Sequence, residues 1–550
     1  MINRLLPAFV LLISTMLILT GCFGNSKKTD NRSAKDVKVN AAGVLPIVDE
    51  KVTLNVLIHG QANVEDFATN EFTKWYEEQT NVHLNFEVVG PKGAQEQLNL
   101  IMSSGDYPDV IIGFGISATK QMVYGKQGVF IPLNDLIEKY GHGTKEMFKE
   151  LPRAEEIITA PDGNIYGLPF IGHNPHTFYP HKMWIYEPWL EKLNLDMPTT
   201  TEEFYEVLKA FKTQDPNGNG KADEIPFAAA TTGWNSQIDN FLMNSFVYTN
   251  KATNSYMMLE NGKIDVSFTQ PGWKEGLKFM NRLYEEGLLA PESFTQDMEQ
   301  LRRLGENPDV PILGAAPGGT MEFTQINGSS GRWKEYKPMA PLKGPTGLQV
   351  APTSLRIDSN AAFVITKDCP YPEVAFRWAD FMYTKEATIR NDNGMFEEHW
   401  VWAEEGDIGL NGKPATWKRI YQPSSSGTVQ NHEWEHTGPI YNSREIWEGL
   451  AIEEGGLEDI LYKATVEHYE PYGKNDDKFV PPLFFDEVQA AELATIEQTI
   501  RDHVSEMQAR FITGDADIEK DWDKYLKTLE GMNLNRFIEI YQEAYDAKYK

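Results

Sequence analysis

Apolar and polar positions alternate from Val52 to Ile58. Val52, Leu54, Val56 and Ile58 are interleaved with Thr53, Asn55 and Leu57, which predicts a strand. A polar loop over 59–63 leads into a stretch where Phe67, Phe72, Trp75 and Tyr76 recur as they would on a helix. Val82, Leu84, Phe86 and Val88 alternate again as a second strand. A short helix over 93–102 stops at Gly105, and the run 109–114 (Asp-Val-Ile-Ile-Gly-Phe) reads as a third, buried strand. This β-α-β-α-β order predicts parallel strands covered by helices. Residues 161–164 (Pro-Asp-Gly-Asn) form a predicted turn, and 165–169 an extended segment near which the chain crosses into a second lobe.

The second lobe is expected to open with a helix over 184–193. Thr200 and Glu203 make a capping box, and the helix they start carries Phe204, Val207, Leu208 and Phe211 on one face. The C-terminal fifth is helical by its spacing. Leu493, Ile496, Ile500, Val504, Met507 and Phe511 recur at steps of three and four up to Gly514. Trp522, Tyr525, Leu526 and Leu529 continue to Gly531, and Leu534, Phe537, Ile538, Tyr541 and Tyr545 form a last face. No internal repeat interrupts this α/β pattern.

The first twenty residues differ in kind. Arg4 precedes an apolar run through Leu19 that is shorter than a membrane span and is broken by Pro7, Ser14 and Thr15. It reads as a secretory signal over 1–21. Leu19-Thr20-Gly21-Cys22 resembles the lipobox of bacterial lipoproteins, in which the cysteine thiol takes a diacylglyceryl group and small residues admit the peptidase. Residues 22–44 are small and polar at first and are expected to be a flexible, lipid-anchored tether. The expected location is the outer face of the cell membrane, anchored through Cys22.

Cleavage removes one basic residue, Arg4, and no acidic one, so the net charge of −29 becomes −30 over a mature chain of 529 residues. That length suits two or more domains. That charge excludes nucleic acid as a partner and disfavours anionic membrane surfaces. The two cysteines are Cys22 and Cys369, and with Cys22 lipidated no internal disulfide forms. The 13 Trp, 23 Tyr and 28 Phe exceed what a core alone calls for and suit stacking against sugar rings.

The sharpest chemical motif is Asp215-Pro216-Asn217-Gly218-Asn219-Gly220-Lys221-Ala222-Asp223-Glu224-Ile225-Pro226. Oxygen donors at positions 1, 3 and 5 and Gly at 6 match the start of a calcium loop, because alternate residues of a tight turn all point inward at a hard cation. The twelfth position is Pro226, where an EF-hand has glutamate, and Asp223 and Glu224 can supply carboxylates from nearer by. A structural calcium is expected, with Lys221 giving its carbonyl. His432-Glu433-Trp434-Glu435-His436 spells H-E-x-x-H, but a serine run and Gly427 precede it and Gly438-Pro439 follows. It is therefore read as a loop and not as a zinc helix.

These features occur together with Leu342-Lys343-Gly344-Pro345-Thr346-Gly347, Ser354-Leu355-Arg356 and Phe537-Ile538-Glu539-Ile540-Tyr541-Gln542-Glu543-Ala544-Tyr545. Together they resemble the large extracellular solute-binding proteins of family 1, lipoproteins of the LplA/YtcQ type found with ABC sugar importers, and the related alginate-oligosaccharide binders. The resemblance implies two hinged α/β lobes of the type II periplasmic-binding-protein kind, with a helical C-terminal region. It implies calcium ligation by Asp215, Asn217, Asn219, Lys221, Asp223 and Glu224. It also implies a monomer that captures an oligosaccharide between its lobes, without catalysis, for an ABC permease. The expected boundaries are 45–170 with 308–355 for lobe one, and 171–307 with 356–550 for lobe two. Trp234 is the first candidate for sugar stacking, followed by Trp400 and Trp402, of which at most one stacks, and Trp434. The alternatives are a cell-surface glycoside hydrolase or lyase and a peptide-binding protein.

Overall fold

The computed structural model describes residues 37–250, 256–354, 357–420, 429–473 and 477–550. The signal segment, Cys22 and the tether up to residue 36 lie outside the described residues, as do Leu355, Arg356 and the run 421–428.

The expected strand–helix alternation builds a first sheet. β1 (Val52–His59) pairs in parallel with β2 (Val82–Val89) on one side and with β3 (Val110–Ile116) on the other. β4 (Leu168–Gly172) joins the same sheet. Side chains alternate across β1: Leu54, Val56 and Ile58 enter the core on one face and Leu57 the core on the other, so both faces are covered. The first helix starts later than the apolar spacing suggests, at Glu71. Asp66 accepts from the N–H groups of Ala68 and Thr69 and holds a turn there, and Asn70 caps the helix.

The chain then crosses over. β5 (Met183–Tyr186) begins a second sheet, completed by β6 (Ile225–Phe227) and by two later strands. The helix expected over 184–193 is thus a strand followed by a helix, Glu187–Leu193. All four residues of β5 are buried, and Pro188 sits in the first turn of the helix, where its missing N–H costs nothing. The Thr200–Glu203 capping box is present and starts Thr201–Thr213. β7 (Met257–Glu260) and β8 (Lys263–Val266) form a hairpin.

β9 (Leu313–Pro317) and β10 (Tyr336–Met339) close the second sheet in the order β10-β5-β9-β6. β11 (Ile357–Ile365) returns to the first, pairing antiparallel with β3 and β4. β12 (Trp400–Trp402) and β13 (Trp417–Arg419) make a separate ribbon. β14 (Tyr441–Asn442) ends the first sheet, β14-β4-β11-β3-β1-β2.

This topology corrects the expected boundaries. Residues 313–339 belong with the second sheet, and β11, helix Pro372–Met382 and β14 belong with the first. An apolar strand carries no mark of which sheet it will join, so chain order alone misassigned them. The folded body also begins before residue 45. Val39 bridges to Val48, and the Arg377 guanidinium donates to the carbonyls of Ala41 (3.0 Å) and Val44 (2.7 Å). The C-terminal helices Glu487–Thr513, Ile518–Gly531 and Leu534–Tyr549 pack into the second core through the residues their spacing marked.

Candidate functional site

In the first sheet the chain winds from β1 to β2 on one side and on to β3 on the other. The loops leaving the C-terminal ends of β1 and β3 therefore diverge, which opens a crevice at that edge. A recess of about 120 Å³ lies there. Gln61 follows β1, Gly113 and Gly115 come from β3, Phe170 from β4, Asn360 from β11 and His436 from the loop before β14. Gly113 has φ +79°, and a Cβ there would sit 2.9 Å from Cγ2 of Thr437, so only glycine lets that loop lie against the sheet. His59 and Phe114 meet edge to face beside it, 5.6 Å apart.

A second group of rings gathers where the chain crosses between sheets. Trp234 is half-buried in the loop after β6, with its indole over Gly319. A Cβ on Gly319 would fall 2.1 Å from the ring, and the Gly319 N–H donates to the Trp234 carbonyl. His176, on the short helix Pro175–Phe178, stands edge-on to Trp234 at 5.7 Å and to Trp447 at 5.9 Å. Trp447 lies on helix Arg444–Glu448, directly after β14. One ring from the second lobe and one from the first-sheet side thus meet across a histidine. Trp234 is marked in the sequence by its Gly- and polar-rich loop, whereas His176 and Trp447 lie 58 and 213 residues from it and share no motif with it.

The other candidate tryptophans divide. Trp434 is fully buried among Phe67, Phe72, Phe86 and Trp378, and its Nε1–H donates to Thr73 Oγ1. It is core, not a stacking platform. Trp400 is also fully buried, in a small core with Ile389, Leu410 and Trp417, and donates to the Gly394 carbonyl. Trp402 is 42% exposed. Two residues apart on one strand, Trp400 and Trp402 share a face, and their rings touch edge-on at 5.0 Å. Only Trp402 of this pair presents a surface.

The H-E-x-x-H segment is not helical. His432 lies against His399, ring centroids 4.1 Å apart, and burial and that neighbour push its pKa down to about 4. His436 turns instead to Asp392, whose Oδ1 is 2.8 Å from Nδ1 and pushes the imidazole up to about 9. Burial pushes the Glu433 carboxyl up to about 8, helped by Asp392 and Glu435. Glu435 and His436 both adopt the left-handed region, φ 51° and 59°, at roughly 1–2 kcal/mol each for residues with a Cβ.

The Asp215 loop is closed by its own side chains. Asp215 accepts from the N–H groups of Gly218, Asn219 and Gly220, Asn217 Oδ1 from Asn219, and Asn219 Oδ1 from Lys221. The amides of Asn217 and Asn219 donate to Asp223. Lys192 holds the loop from outside through the Pro216 carbonyl. Glu224 differs: both its oxygens are buried and no side chain among the described residues bonds them, and burial raises its pKa against the lowering by the nearby backbone N–H groups of Glu224 and Asn217, with Asp215 and Asp223 adding to the rise. Among the described residues no group of three His, Cys, Asp or Glu side chains stands as a metal cage. The loop's donor set also includes amide and carbonyl oxygens, and a buried carboxylate beside two others, without a cationic side chain to pair it, fits a divalent cation.

Two α/β sheets joined by crossing segments, with a crevice at the strand ends and rings spanning the junction, have the build of a solute receptor. The chain belongs to the bacterial extracellular solute-binding protein family, whose pattern matches residues 61–389. It is similar to the fructooligosaccharide ABC transporter substrate-binding protein FusA of Streptococcus pneumoniae serotype 4. They are 28% identical over 546 residues, covering 98% of this chain and 97% of that one. It is also 27% identical over 302 residues to the polygalacturonan/rhamnogalacturonan-binding protein YtcQ of Bacillus subtilis, covering 53% of this chain and 54% of that one. The solved structure of S. pneumoniae FusA in complex with kestose superposes with a TM-score of 0.70 at 27% identity, covering 90% of this chain and 99% of that one. A FusA EF-hand mutant in complex with fructo-nystose gives the same TM-score at 26% identity and the same coverage.

Proposed function

We propose that this protein is a lipid-anchored receptor of an ABC importer that captures a neutral oligosaccharide between its lobes and hands it to a membrane permease. The observation that carries the reading is the ring group Trp234–His176–Trp447 at the junction of the lobes, in a chain similar to FusA over nearly its whole length. Flat faces take the C–H sides of sugar rings, and the polar groups of the crevice take hydroxyls. Asp215, Asn217, Asn219, the Lys221 carbonyl, Asp223 and Glu224 would hold a calcium ion. Its chemistry is to neutralise the loop's carboxylates and brace the turn between Thr201–Thr213 and β6. Among the described residues no helix is long and apolar enough to cross a membrane, and Cys22 is the proposed anchor.

Trp234→Ala is expected to weaken binding of kestose or nystose by at least tenfold, well beyond any loss of stability from uncovering Gly319. Calorimetric titration of the two proteins with these sugars checks it. Unchanged affinity, or conversion of the sugar at single-turnover protein concentrations, would overturn the reading. Cys22→Ala is expected to shift the protein from the membrane fraction to the medium or to leave the uncleaved precursor, which fractionation and mass spectrometry of the N-terminus distinguish.

A further inference from the structure

We propose that the recess at the C-terminal edge of the first sheet is the subsite for a neutral, hydroxyl-bearing sugar ring, and that His436, held by Asp392, is the residue that reads an oxygen of that ring. The inference rests on the receptor function proposed above and narrows it to a chemical class at a named place.

The recess is built for an occupant. Gln61, Phe170, Asn360 and His436 reach it from four separate segments. Gly115, also with φ in the left-handed region, has nothing within 4 Å of where its Cβ would be, so the absence of a side chain keeps the space clear. The recess, about 120 Å³ and open to solvent on one side, admits the polar edge of a ring.

His436 is oriented by a relay. Asn442 Nδ2 donates to Asp392 Oδ2 at 3.0 Å, and the other oxygen of Asp392 lies 2.8 Å from His436 Nδ1. The Asp392 side chain is only 5% exposed, whereas that of His436 is half-exposed. Nδ1 is thereby occupied and Nε2 is the ring nitrogen left for a ligand, on a side chain that lines the recess with its ring centroid 6.1 Å from that of Phe170. Two successive non-glycine residues in the left-handed region turn the loop so that this ring faces the crevice while Trp434 goes into the core. Strain of this kind is retained where a geometry is needed.

The charges around His436 decide the ligand class. Asp392 faces it from helix Lys385–Asn393, Glu433 and Glu435 from its own loop, and Arg419 of β13, near Glu433, is itself paired with Glu458. One imidazolium among these carboxyl groups, in a chain of net charge −29, leaves no surplus cation for a ligand carboxylate. A hydroxyl or ring oxygen accepts from Nε2–H without that repulsion.

The test is calorimetric titration of kestose, nystose and trigalacturonate into the wild type, His436→Gln, His436→Ala and Asp392→Asn, from pH 6 to 10. The expected result is binding of the neutral sugars by the wild type, with affinity falling as pH rises through about 9, where the imidazolium loses its proton. His436→Ala should lose tenfold or more at pH 7. His436→Gln should bind with a flat pH profile, and Asp392→Asn should move the midpoint down toward the ordinary histidine value. Wild-type affinity with the wild-type pH profile in His436→Ala and His436→Gln overturns the role of His436. Preference for trigalacturonate overturns the neutral class. If the wild type binds none of the three sugars, the receptor reading itself fails, which the unmutated protein decides alone.

Discussion

Trp434→Ala is expected to reduce the free energy of unfolding by about 3–5 kcal/mol, the usual range for removing a large buried aromatic. The expectation follows from its surroundings. Phe67 and Phe72 approach edge-on at 5.4 Å, Phe86 lies at 5.9 Å and Trp378 at 6.1 Å. Nothing nearby is large and free enough to fill the cavity the indole would leave. The substitution also deprives Thr73 Oγ1 of a donor, although that hydroxyl keeps its own bond to the Phe67 carbonyl. The loss should be read from urea unfolding of the variant with and without nystose. Because Trp434 does not line the recess, affinity should fall only as far as the folded fraction and the placement of the His436 loop are lost. A variant of wild-type stability that no longer binds sugar would return Trp434 to the binding surface and contradict the packing described above.

Most of the first lobe's frame could be read from the chain. The alternation at 52–58 and 82–88 and the apolar run at 110–112 each matched a strand: the edge strand β2 buries alternate residues, and β3 begins with three buried apolar residues in a row. The Thr200–Glu203 box and the glycine stop at 514 were equally legible, since caps depend on residues three or fewer apart. Long-range membership was not. β11 joins β3 across more than two hundred residues, and no local pattern records that pairing. The site followed the same division. The Asp215 loop is one short segment, and the hydrogen bonds that close it run between residues that the motif itself names. The H-E-x-x-H segment is a loop, as its flanking serines, glycines and proline indicate, but His436 and Asp392 are 44 residues apart and no local pattern pairs them. Tryptophan content hinted at sugar stacking, yet only burial separates Trp234 from Trp434, and burial depends on the whole fold.

Removing calcium is expected to lower the melting temperature, and more so at pH 7 than at pH 4.5. Without a cation, Glu224 is a buried carboxyl beside Asp215 and Asp223 whose folded pKa lies above its usual value. Between the usual and the raised value the native state binds more protons than the unfolded one. Stability of the chelated protein therefore falls as pH rises through that window. A bound divalent cation offsets that charge and reverses the loss. At a free concentration a hundred times its dissociation constant it adds about 2.7 kcal/mol, and it adds less where Glu224 is protonated and one charged ligand is lost. Thermal unfolding in EDTA, then with excess calcium, at the two pH values measures both terms. Glu224→Gln separates them. The neutral amide removes the burial penalty, so the variant in EDTA should be at least as stable as the chelated wild type, yet should respond weakly to calcium because a charged ligand is gone. Equal calcium responses from the variant and the wild type would mean that the ion, if it binds, does so without Glu224. No response from either would leave the Asp215 loop as a turn held by its own hydrogen bonds, which the asparagine amides and Asp223 already make.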